Sequence, residues 1–517
     1  MMDCRTFPGY PLRVRGWIWV ITAFLLVSAG TEAASMHRCG TCAGGEIRAI
    51  RPDSLESWSD SPHFRVHYTT SGPAALPCEP ESLNHILEVA YTHYHDTLGL
   101  PVPPGDGEAG GGWNLTDCYV TRLPAYEGVA WSEYPDSLTN EDCPCQRSGA
   151  FIISVRNAAR ERVRTLTAHE YFHVVQYGLC AGGSWFMEST AVWAERQVWP
   201  EDQGLFGDTS CWFHTPFRPL FSWGLAYCRM YGAVHYWLFL EDLLGSSFVP
   251  DVLSRTCQLS SSSALREELA ARGSSFDDAL VTFAIWNNCT GSRDDGLHYR
   301  LGAELPEIAA QAEHASLPVQ EQSVPELVLL EPTGSNYIRF LGPGSRDTLH
   351  IHVNGDASRR DNRRVSLVAL RPPLTYTDTT LVPDASGDVD LSVAGWSSCG
   401  EAMLIVTDLE SAEGTAAYTY SAWERGVGER PRLLSCGPNP SPREVRIEYL
   451  VPTDQAWKRV TVFDPLGRMV QILSGEAVTP GRYTAVWDAD VRAMSGVYFI
   501  RLQTPCGSDG RKVVIAR

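Results

Sequence analysis

The feature that most constrains this chain is His169-Glu170-Tyr171-Phe172-His173, two histidines four residues apart with a glutamate directly after the first. Residues four apart share one face of an α-helix, so a helical backbone aims both imidazoles at one point, where a single metal ion can take both. The run from Glu161 to Tyr177 reads as that helix, with Gly178 as its C-terminal stop. Glu170 sits beside the histidine face, placed to take a proton from water activated at the metal. The plain alternative is a surface helix with two solvated histidines.

A third ligand sets the class of such a site. Position 179, six residues past His173, is a leucine rather than a third histidine. Trp185-Phe-Met-Glu-Ser-Thr-Ala-Val-Trp193 instead supplies Glu188, fifteen residues beyond His173 and in the first turn of a helix expected over 188–199. Its apolar flanks predict a buried carboxylate, which is costly unless it meets a cation or a partner. Two histidines and one glutamate leave zinc (Zn2+) an open coordination position, as catalytic zinc requires. An ordinary acid near a helix N-terminus is the other reading of Glu188.

The rest of the sequence gives this site an exported, multidomain setting. The 517 residues suggest roughly three domains. Lys and Arg number 42 against 61 Asp and Glu, a net charge of −19 that argues against nucleic acid or an anionic membrane surface as partner. Arg5, Arg13 and Arg15 precede an apolar run from Trp17 to Ala29, and Thr31-Glu32-Ala33 offers a small-residue cleavage site. That run is shorter than the roughly 20 residues a span needs, so residues 1–33 read as a secretory signal peptide, with no later transmembrane segment. With Cys4 removed, fourteen of the 15 cysteines remain, an even count that reads as disulfides in an exported chain. Cys39-Gly-Thr-Cys42 and Cys143-Pro-Cys145 lack a second CxxC to complete a four-thiolate metal site, so disulfides are expected there too.

Three stretches follow the leader. Residues 34–318 mix strand and helix patterns: a strand at Phe64–Thr69, a helix over Leu83–Leu98, a Gly/Pro-rich loop from Pro101 to Gly112 and a short apolar strand at Ala150–Val155. Residues 319–430 lose the helical period and show Tyr337–Phe340, Thr348–Val353, Val365–Leu370 and Met403–Thr407 between turn residues, the pattern of a β-sandwich. Residues 431–517 begin with a proline-rich entry and continue as short strands. The expected fold class is therefore an α+β domain followed by two all-β domains.

The run Ala168-His-Glu-Tyr-Phe-His-Val-Val-Gln-Tyr177, with Trp185 to Glu195 after it, resembles gluzincin-type zinc metallopeptidases, and more closely a group of secreted bacterial metalloproteases that open with a strand like Pro62–Gly72. The resemblance covers about residues 60–420. It implies a zincin-like domain, zinc ligands His169, His173 and Glu188, Glu170 as general base, and a protein or peptide substrate. Many gluzincins carry an acid shortly after the glutamate ligand, but Ala191 and Val192 stand there. Glu195, two turns on, orients a ligand or is a solvated acid. Tyr231 is the first candidate and His235 the second for donating to the developing oxyanion, from one predicted helix; packing is the alternative role for both. Ala150–Val155 resembles the edge strand that pairs with substrate, and Gly149 before it would permit close approach; a core strand with no substrate role is the alternative.

A second resemblance lies in Pro438-Asn-Pro440, Val460–Arg468, Gly481–Asp488, Ser495–Leu502 and Lys512–Arg517, which are similar to type IX secretion sorting domains and to Ig-like domains of flagellar hook-capping proteins. It implies an Ig-like module for export or attachment, cored by Trp487 and Tyr498, with secretion machinery or the cell surface as partner. The chain is thus expected to be secreted or surface-bound. The rival reading is a non-catalytic surface or adhesion protein with an inactive or structural metal site. His93 with His95, and His350 with His352, read as surface or satisfied histidines. Asn114-Leu-Thr116 and Asn288-Cys-Thr290 match the glycosylation acceptor.

Overall fold

The described residues lie in one compact unit, His37–Arg517. A computed structural model describes residues 51–517 except 53–54, 77, 108, 112–113, 124–126, 134–142, 144, 155–161, 202–209, 222–227, 410–416, 426–430, 452–456, 475–480, 490–492 and 506. The expected leader, the Cys39–Cys42 pair and most of residues 34–55 lie outside the described residues.

This unit mixes α and β structure. Its first sheet contains β1 (Ser57–Asp60), β2 (Phe64–Tyr68), β3 (Thr116–Thr121), β4 (Gly128–Glu133) and β5 (Ser148–Ser154), in the order β1-β2-β3-β5-β4. Strands β2, β3 and β5 are parallel, while β1 and β4 run antiparallel at the two edges. The pleat sorts the side chains by alternation. Phe64, Val66, Cys118, Val120, Phe151 and Ile153 join the main helical core. Tyr119, Val129, Trp131, Ala150 and Ile152 form a separate cluster on the opposite face.

The first two helices pack on this sheet, and the third packs on the second. Helix α1 (Pro80–Tyr91) carries Pro80 in its first turn, where a missing N–H costs nothing, and continues as a π-helical turn over Thr92–Thr97. Helix α2 (Val163–Gly178) buries 13 of its 16 residues, so it is a central helix and the solvated-histidine alternative fails. Gly178 is the last helical residue rather than the stop beyond it; the left-handed turn falls on Cys180, at φ 60°. A Cβ on Gly178 would press on Pro103, 3.0 Å from its Cα, so the glycine there serves close packing. Helix α3 (Ser184–Val198) begins four residues earlier than expected, which moves Glu188 into its second turn.

Other expectations change. The strand expected at Ala150–Val155 is not the edge: β5 lies between β3 and β4, and the edge belongs to β4. Gly149 is crowded by the Trp131 carbonyl and the Tyr177 ring, so its space is taken by the protein itself. Tyr231 and His235 stand on two helices, Cys228–Gly232 and Val234–Leu244, separated at Ala233. Asn288 and Thr290 are buried, which removes the second glycosylation acceptor from the surface. Cys143 pairs with Cys257 and Cys145 with Cys180, and Cys211 is also disulfide-bonded. Cys118, Cys289, Cys399 and Cys436 are free thiols.

Two sandwiches follow. In the first, a five-stranded sheet joins β6 (Ala312–His314), β8 (Ser335–Leu341), β10 (Arg363–Arg371), β11 (Thr375–Leu381) and β13 (Glu401–Asp408). A four-stranded sheet of β7 (Val319–Ser323), β9 (Thr348–Gly355), β12 (Asp388–Ala394) and β14 (Tyr418–Arg425) faces it. Ile338, Phe340, Ile351, Val353, Leu367 and Leu404 fill the space between. The second sandwich spans Arg432–Ile515, with a three-stranded and a four-stranded sheet around Ile447, Tyr449, Trp487 and Ile500. Trp487 and Tyr498 meet at 5.0 Å between ring centroids. Arg459–Phe463 and Met469–Ser474 form a strand–turn–strand around Asp464 and Gly467.

Candidate metal centre

Helix α2 places His169 and His173 one turn apart, with ring centroids 4.8 Å from each other. Helix α3 crosses beside them and brings in Glu188. His169 Nε2 lies 3.2 Å, and His173 Nε2 3.7 Å, from the same oxygen, Glu188 Oε2. One ligand atom from each of the three residues falls within 4.8 Å of the other two, and all three side chains are buried. Glu188 Oε1 is buried without a hydrogen-bond partner. A carboxylate so enclosed is costly unless a cation shares it, so the donor set fits a bound metal ion.

The far side of each imidazole is also occupied. His169 Nδ1 lies 3.5 Å from Glu195 Oε2, and Glu195 is buried rather than solvated. His173 Nδ1 lies 2.6 Å from Gln176 Oε1. Ligating histidines held in this way present Nε2 to the metal. Gln176 went unremarked in the sequence, although its place three residues after His173 puts it on the same helix face.

The charge balance of the chain alone is that of a cation site. Burial pushes the His169 imidazole down, but the flanking Glu188 and Glu195 carboxylates outweigh it and hold the group up at about 10. Glu188 is raised by burial, yet His173 and His169 pull it well below the usual carboxylate range. An incoming cation takes the place of the imidazolium proton.

Glu170 is buried and packs over the backbone of Gly128 at the start of edge strand β4. Tyr177, from the last turn of α2, donates its hydroxyl to the Ala130 carbonyl on that strand at 3.2 Å. The Tyr231 ring lies 6.2 Å from the His169 ring. His235 is buried one turn further on, with its ring edge-on to Phe213 at 4.8 Å. Among the described residues, the other histidines do not join the cluster. His95 bonds Tyr171 and the Leu100 carbonyl, His352 pairs with Asp390, and His350 stacks on Trp423.

No family model matches the chain, and no curated protein matches it. Among solved structures, it aligns with a GH2 beta-galacturonidase from Eisenbergiella tayi at 11% identity, covering 35% of each chain, with a TM-score of 0.16. A beta-1,2-glucanase from Parabacteroides distasonis aligns at 10% identity over 40% of this chain and 38% of its own, with a TM-score of 0.17. Tripeptidyl peptidase 2 aligns at 9% identity over 41% and 31%, with a TM-score of 0.19. The chain spans about a third of the length of these proteins, and likenesses of this size carry neither fold nor activity across.

Proposed function

We propose that this chain is an exported zinc metallopeptidase of the gluzincin type, with a zincin-like domain and a C-terminal sandwich used for secretion or attachment. The observation that carries the reading is the convergence of two buried imidazole Nε2 atoms and one buried carboxylate, with Glu170 alongside. His169, His173 and Glu188 would hold zinc, which would supply a Lewis acid to polarise a carbonyl and make water more acidic. Glu170 accepts the proton of the attacking water and returns it to the leaving amine. Tyr231, beside His169, donates its hydroxyl to the oxyanion, with His235 as second candidate. An extended peptide adds to the outer edge of β4, whose antiparallel partner on the other side is β5.

The disulfides support an oxidising compartment, and among the described residues no helix is long and apolar enough to cross a membrane. Two sandwiches over residues 312–515 keep a second reading in play, that of a surface-binding protein whose metal is structural. Metal analysis and casein cleavage, with and without a chelator, separate the two. Chelator-sensitive cleavage by a protein carrying one zinc supports the peptidase. A protein that unfolds on zinc removal and never cleaves supports the structural site.

A further inference from the structure

We infer that Gln176 is a positioning residue that fixes His173 in its metal-accepting tautomer and ties it to the segment that carries Glu188; the inference rests on the metal-centre reading above. Gln176 is fully buried. Its amide nitrogen donates to the Met187 carbonyl at 2.8 Å and to Thr190 Oγ1 at 2.7 Å. Its amide oxygen faces His173 Nδ1. One side chain on α2 thereby grips α3 on both sides of Glu188.

The orientation of this amide follows from its neighbours. A backbone carbonyl can only accept, so the group facing Met187 must be the NH2. The Thr190 hydroxyl gives its single hydrogen to the Phe186 carbonyl at 2.7 Å, which leaves its oxygen to accept the second amide hydrogen. Both donors of Gln176 are then consumed, and its oxygen can only accept from His173. The proton of a neutral His173 therefore sits on Nδ1, and the Nε2 lone pair points to Glu188 Oε2 and the metal position. A flipped amide would set oxygen against the Met187 carbonyl. The tautomer of a metal ligand is thus dictated by the backbone of the helix that supplies another ligand.

The two histidines are also held differently. Glu195 offers His169 an anion, while Gln176 offers His173 a neutral acceptor anchored at two further points. Gln176 therefore serves mainly to fix direction and spacing, and its loss should register in metal affinity and ligand geometry.

The test uses the full purified chain, stripped with a chelator and titrated with Zn2+ against a chromogenic competitor, then loaded with Co2+ for its visible spectrum. Gln176→Leu is expected to weaken zinc binding about 10- to 100-fold and to alter the cobalt bands, while circular dichroism shows the wild-type fold. Thr190→Val removes one anchor and leaves the contact to His173, and is expected to cost about fivefold, the value of one neutral hydrogen bond. Unchanged affinity and an unchanged cobalt spectrum in a folded Gln176→Leu would overturn the inference. Should that variant fail to fold, Thr190→Val decides it, with unchanged affinity counting against. If wild type binds no zinc, or Glu188→Ala binds it as well as wild type, the metal-centre reading fails and this inference falls with it.

Discussion

Gly128, the first residue of edge strand β4, lies directly beneath Glu170: a Cβ built on the glycine would fall 2.6 Å from both Cγ and Cδ of the glutamate. No real side chain tolerates that approach, so the absence of a Cβ at position 128 fixes where the carboxylate can sit. Gly128→Val should push Glu170 off its position and lower kcat at least tenfold. Zinc content should remain at wild-type level, because the three atoms nearest that Cβ all belong to Glu170. Metal analysis beside peptide-cleavage kinetics checks this, and loss of metal together with activity would contradict it.

Glu195 gives the second prediction. It is buried against His169 Nδ1, so replacing it removes the group that orients that ring. Glu195→Leu should weaken zinc binding about 10- to 100-fold, with Glu195→Gln between that variant and wild type. Competition with a chromogenic chelator measures both. A solvated acid, the other reading of Glu195 from sequence, would give no change.

Stability should depend on pH through Asp106. Burial pushes this carboxyl up to about 7, against the pull of its partner Arg51, with Asp117 close by adding to the rise. Its unfolded value is near 3.8, so between pH 4 and 7 the folded state holds a proton that the unfolded state releases. This group's contribution therefore favours the fold at the acidic end and is lost as pH rises to 7. Asp106→Asn keeps an acceptor for Arg51 and should flatten that part of the profile. Urea midpoints at pH 5 and pH 7.5 test the sign; an identical pH dependence in the two proteins would refute it.

The four half-cystines near α2 make a covalent prediction. Cys143–Cys257 and Cys145–Cys180 bring three distant segments together, and Cys143 Sγ also lies 3.5 Å from Cys180 Sγ. Non-reducing peptide mapping should find the Cys143–Cys257 and Cys145–Cys180 links rather than the exchanged pairs. Loops of this length are worth about 3–5 kcal/mol each, so reduction should lower the thermal midpoint by several degrees.

Much of the site was legible because its signals are local. The four-residue spacing of His169 and His173 survives any tertiary arrangement so long as α2 is helical. The apolar flanks of Glu188 announced its burial, although the helix began earlier than expected because Ser184 and Trp185 already continue the turn. The strand pattern of residues 319–430 was readable because one face of each sheet packs inward. What failed depended on non-local pairing. The edge position of β4 could not be read from Ala150–Val155, since only the sheet order reveals which strand lacks a second neighbour. The burial of Glu195 and the grip of Gln176 on α3 arise from the crossing of two helices, which no single segment encodes. Cys118, Cys289 and Cys399 misled the cysteine count, because a buried thiol behaves as a small apolar side chain.

The most direct measurement is cleavage of a denatured protein substrate by Glu170→Gln beside wild type, both carrying one zinc. The account predicts a loss of at least a hundredfold in kcat at unchanged zinc content and unchanged thermal midpoint, because the amide fills the same space as the carboxylate but accepts no proton at neutral pH. Equal cleavage by the two zinc-loaded proteins would contradict the mechanism at its centre.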